Sequence, residues 1–124
     1  MELSIIITSY KNPELTKVCI DSIRKNCTVA SYEMVVADSE TDEKMRMMMR
    51  EDYPEIKFFA FEKNVGFQEL VRKGITACSG EYLLILNADI IVKSGSIEKI
   101  TGFHKKRSDH RHCRSATHQF QRDT

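Results

Sequence analysis

Four short polar clusters carry the residue types of a nucleotide site. They are Thr8, Ser9 and Tyr10; Asp38 to Asp42; Glu62, Lys63, Asn64 and Gly66; and Asn87 with Asp89. An aromatic ring in such a cluster can stack on a base, and a carboxylate can accept from a base imino N–H. A second carboxylate can ligate Mg2+ or Mn2+ bound to a diphosphate. Arg72 adds a guanidinium able to grip a diphosphate through two parallel hydrogen bonds, or to stand as an exposed helix charge. Any one of these polar residues is also ordinary for a solvated loop, so the weight lies in their combination.

The clusters share a position relative to the apolar runs. Each follows a short run of strand character: Leu3–Ile7, Tyr32–Ala37, Ile56–Phe61 and Tyr82–Leu86. Helical segments lie between these runs. The first opens on Asn12 as N-cap with Pro13 at the first helical position, and Leu15, Val18, Cys19 and Ile23 recur at helical spacing. The second starts near Thr41, which can cap it. It shows Met45, Met48 and Met49, read as core, and breaks at Tyr53-Pro54. The third carries Phe67, Leu70, Val71, Ile75 and Cys78 on one face, with Gly80 as its C′ residue. A short extended stretch, Ile90–Val92, leads into a fourth helix from Ser94 to Phe103. Strands alternating with helices predict a three-layer α/β/α domain with a mainly parallel, Rossmann-like sheet. Ligands of such sheets bind at the carboxyl ends of the strands, where the four clusters fall.

Two common nucleotide sites are excluded. No glycine lies between Thr8 and Asn12, which removes a dinucleotide-binding turn, and no GxxxxGK[ST] run occurs. A receiver domain is excluded too, because no acidic residue follows the first strand.

The motifs in order resemble those of family 2 glycosyltransferases of the GT-A fold. Ser4 to Asn12 is similar to "SVIIPTYN", and Tyr32 to Asp42 to "YEIIVVDNGSTD". Asn64 to Phe67 with Gly74-Ile75 is similar to "NxGFAxARNxGI", and Gly80 to Asp89 to "GEYLLFLNPDT", a variant of the DxD motif. The resemblance implies that Thr8 and Tyr10 line a nucleobase pocket beside Ser9, and that Asp38 accepts from uracil or thymine. Asn64 and Gly66 would shape the loop near ribose and diphosphate. Asp89 would hold the divalent metal. Asn87 stands at the first acidic position of DxD, where it supplies no charge, and Arg72 stands where the family usually has Asn. Asp42, at the family's second acidic position, reads as a helix-start residue. The implied partners are a nucleotide-diphosphate sugar of the UDP, dTDP or GDP type and a glycan or lipid-linked acceptor. The implied reaction is transfer with inversion. The alternatives are a non-catalytic nucleotide-binding or interaction module of the same fold and, more weakly, a nucleotidyltransferase.

Charge divides the chain. It has 124 residues and a formal net charge of +1, but His104–Thr124 alone holds six Lys or Arg, two Asp or Glu and all four His. Residues 1–103 therefore read as the nucleotide-sugar-binding domain, incomplete because no general base is recognised. Residues 104–124 read as a basic tail unable to bury enough apolar surface to order itself. Back-translating Ser108–Thr124 and shifting the frame by one base permits QIIGIVGPQLINFNGT, which resembles what the family carries next. The tail is accordingly expected to be out of frame and the chain inactive as a transferase. Its His and Cys113 lack zinc-ligand spacing. Near-neutral charge argues against a nucleic-acid partner. The four Cys, with no CxxC pair and no secretion signal, are expected as reduced thiols in the cytoplasm, with a full-length form peripheral to a membrane. A sheet edge left open where further strands belong is expected to favour self-association.

Overall fold

A computed structural model describes residues 2–102. The expectations placed on the tail, on Phe103 and on Cys113 lie outside the described residues. The elements run β1 (Leu3–Tyr10), α1 (Pro13–Asn26), β2 (Tyr32–Ser39), α2 (Glu43–Asp52), β3 (Lys57–Phe61), α3 (Phe67–Thr76), β4 (Tyr82–Asn87) and α4 (Ser96–Thr101). The four strands form one parallel sheet in the order β3-β2-β1-β4.

The central strand is apolar on both faces, as a doubly covered parallel strand must be. Leu3, Ile5 and Ile7 point to one face and join Met34, Val36, Leu84 and Leu86 beneath α1 and α2, whose Cys19, Ile20, Ile23, Met45 and Met49 complete the core. Ile90, Val92 and Ile97 extend this core toward α4. On the other face α3 packs over β1 and β2. There Gly74 lets the helix settle close, since a Cβ at that position would lie 2.8 Å from Ile6 Cγ2. No helix among the described residues is long and apolar enough to cross a membrane.

Several local expectations are corrected. Thr8, Ser9 and Tyr10 are not a loop: they continue β1 and pair with Ala37, Asp38 and Ser39. On α1 the buried face is Pro13, Thr16, Cys19, Ile20 and Ile23, whereas Leu15 and Val18 are exposed. Thr16 can be buried because its hydroxyl donates to the Asn12 carbonyl at 3.0 Å. Asp42 rather than Thr41 caps α2, accepting from Met45 N at 2.8 Å, and the Thr41 hydroxyl donates instead to the Asp38 carbonyl. Helix α3 ends at Thr76, capped by Ala77. Gly80 is needed for a different reason: a Cβ there would lie 2.6 Å from Ser4 N and 2.7 Å from Leu3 C. Residues 90–92 form no strand, and α4 begins at Ser96 after a left-handed Gly95.

Candidate functional site

The carboxyl ends of β1, β2 and β4 open onto a cleft of about 350 Å³. Of the residues expected there, Thr8, Ser9, Tyr10, Asn64, Gly66, Asn87 and Asp89 line it. The parallel register explains this convergence. Thr8 pairs with both Ala37 and Asn87, so the ends of three strands meet at one level.

Asn87 is held in place. Thr8 Oγ1 donates to Asn87 Oδ1 at 3.0 Å, and Ala88 N donates to the Thr8 carbonyl at 2.9 Å. The chain turns at Ala88 and Asp89, leaving the Asp89 carboxylate exposed at the cleft. It is the only ionisable acid among the described lining residues, and neither Lys nor Arg joins it. On the opposite wall Gly66 N donates to Asn64 Oδ1 at 3.0 Å, and Val65 N reaches Ser39 Oγ at 3.4 Å. Gly66 has φ +86°, a conformation that side-chain-bearing residues rarely adopt. The loop before α3 is thereby tied to the end of β2.

Asp38 lies beneath this surface rather than on it. It is 1% exposed and is not among the lining residues. Ser9 Oγ donates to Asp38 Oδ1 at 2.5 Å, while Oδ2 has no hydrogen-bond partner. Burial raises the carboxyl above the ordinary Asp range, opposed by the Ser9 hydroxyl. Arg72 stands apart from the cleft, with its side chain exposed and its Nε 3.8 Å from Glu69 Oε1.

Ser39, from the cluster after β2, lines the cleft as well, and so do residues that the sequence did not mark as site residues: Asn12 and Leu15 at the start of α1, Phe67 and Leu70 of α3, and Ala88. By its spacing Leu15 falls on the apolar stripe of α1. Its exposure at a helix start beside a strand end is a tertiary property that periodicity does not report. Lys11 and Glu40 follow the paired ends of β1 and β2 and carry φ of +54° and +51°. The left-handed region costs a residue with a side chain about 1–2 kcal/mol.

Among the described residues no three His, Cys, Asp or Glu side chains cluster as a preformed metal cage. One exposed carboxylate beside a fixed amide oxygen suits a hard divalent ion that takes its remaining oxygens from a bound diphosphate and water.

An all-parallel sheet between two layers of helices, with a cleft at its strand ends, makes this an α/β domain of the GT-A glycosyltransferase type. Residues 4–118 match the family model for glycosyl transferase family 2, and the chain belongs to that family. Similar solved structures include S. aureus TarS 1-349, with a TM-score of 0.69 at 18% identity over 83% of this chain and 32% of that one. TarS 1-349 in complex with UDP-GlcNAc gives 0.68 at 20% identity, covering 83% and 31%. A mannosyltransferase from Pyrobaculum calidifontis in complex with GDP-Man and Mn2+ gives 0.69 at 18% identity, covering 80% and 31%. At such identities the likeness establishes a shared fold. The chain spans about a third of the length of these structures. No curated protein sequence matches it.

Proposed function

We propose that this chain provides the donor-binding portion of a metal-dependent glycosyltransferase. It takes a nucleotide-diphosphate sugar of the UDP, dTDP or GDP type. The transferase built on it moves the sugar, with inversion, to a hydroxyl of a glycan or lipid-linked acceptor.

The observation that carries this reading is the charge of the cleft. Among the described lining residues Asp89 carries the only carboxylate, and none is Lys or Arg. A diphosphate entering such a cleft meets repulsion and no compensating side chain. Asp89 would hold Mg2+ or Mn2+, whose positive charge would offset that repulsion. When bound, the ion neutralises the charge that develops on the departing nucleoside diphosphate. Asn87, fixed by Thr8, supplies a neutral oxygen beside it. Tyr10 offers a ring to the base, and Asn64 and Gly66 shape the wall nearest ribose and phosphates. Deprotonating the acceptor requires a base. Among the described lining residues only Asp89 carries a carboxylate, and it is committed to the ion. Self-association through an exposed sheet edge belongs to the same proposal.

Calorimetric titration with UDP, dTDP and GDP, with and without Mn2+, tests this. Binding should require the metal, and Asp89→Ala should abolish it while leaving the thermal transition in place. Metal-independent binding would favour a non-catalytic nucleotide module, a reading that draws support from the single carboxylate left by Asn87. Absence of nucleotide binding under every condition would refute both.

A further inference from the structure

Register places Lys11 opposite Glu40. Tyr10 pairs with Ser39 at the last rung of β1 and β2, and the next residue of each strand turns into the left-handed region. Two such residues with side chains, side by side, persist only where surrounding contacts hold them, and they concentrate at functional sites. Here the contacts are visible. Lys11 Nζ lies 2.9 Å from Glu40 Oε1, and the Tyr10 hydroxyl donates to Glu40 Oε2 at 3.2 Å. One carboxylate thus receives an ammonium on one oxygen and a phenol on the other. Lys11 Nζ also stands 5.6 Å from the centroid of the Tyr10 ring. Tyr10 lines the cleft and is 49% exposed, whereas Glu40 and Lys11 do not line it.

A half-exposed tyrosine at the end of a strand would ordinarily sample several rotamers, and ordering it on binding costs affinity. The Glu40 bond removes that freedom before the ligand arrives. We propose that Glu40 is a positioning residue: locked by Lys11, it holds the Tyr10 ring as a fixed wall against the nucleobase. This rests on the nucleotide-binding reading above and extends it to two residues outside the cleft.

The sign of the effect separates this role from simple electrostatics. Removing an acid near a diphosphate site, and freeing a lysine with it, should strengthen binding of an anion. Loss of a positioning residue should weaken it. Glu40→Gly is the informative variant, because glycine accepts φ +51° without strain. Its melting temperature should hold or rise, while its affinity for UDP with Mn2+ should fall by about three- to tenfold, the worth of one hydrogen bond. Tyr10→Phe keeps the ring and loses the hydroxyl, and should cost the same. The double variant should be no weaker than either single one, because both changes break one contact. Calorimetry on the 124-residue chain reads all three. Wild-type binding with Glu40→Gly equal or tighter, or losses that multiply in the double variant, would overturn the positioning role and leave the nucleotide reading intact. A wild-type chain that binds no UDP would remove both.

Discussion

Glu33 shows how much one side chain can do away from the cleft. It sits near the start of β2 and accepts from Ser4 Oγ at 2.6 Å, Ser79 N at 2.7 Å, Ser79 Oγ at 3.1 Å and Lys57 Nζ at 3.2 Å. Burial opposes its ionisation, but these donors outweigh burial and bring the carboxyl from 4.5 down to about 2. A carboxyl depressed by folding stabilises the native state above its unfolded pKa and loses that contribution as pH falls through the folded one. Denaturant unfolding should therefore find wild type more stable than Glu33→Gln by a constant margin above about pH 5. The margin should shrink between 4.5 and 2. A margin indifferent to pH would mean that the ionised carboxylate contributes nothing. The sequence presented Glu33 only as a letter in a strand motif, because its donors come from β1, β3 and the segment before β4.

At the scale of elements, order and type were legible and facing was less so. Asn12-Pro13 marked the start of α1 because capping chemistry is local, and Asn12 Oδ1 does accept from Leu15 N. The buried stripe of α1 was misread at Leu15 and Val18 because the angle at which a helix meets its sheet is not written in its own periodicity. Gly80 teaches the same lesson. It was assigned to a helix end, but its hydrogen is required by the backbone of β1 at Leu3 and Ser4. Gly80→Ala should therefore destabilise the domain by about 1–3 kcal/mol through overpacking against atoms that cannot rotate away. A urea midpoint shifted to lower concentration at unchanged slope would register this. An unchanged midpoint would show that β1 yields at no cost.

Over the whole molecule the sheet order decides what is covered. Helix α3 packs over β1 and β2, and it leaves Phe67, at the cleft, and Ile75 exposed at 47% and 45%. Ile91, after β4, is 60% exposed. Such surface drives association when it can be shared between copies. Sedimentation velocity should show the weight-average mass rising with concentration, and Ile75→Lys should suppress the rise without lowering the melting temperature. A monomer at every concentration would refute this.

The sequence by itself determined the strand and helix order, the parallel α/β class and seven residues that do meet at the cleft. These follow from periodicity, capping and the rule that strand ends carry function, all of which are short-range. Only the tertiary structure placed Asp38 beneath the cleft, set Arg72 apart from it and brought Glu40 to Tyr10. Burial and pairing across strands depend on register, and register is decided by the packed sheet rather than by any segment alone.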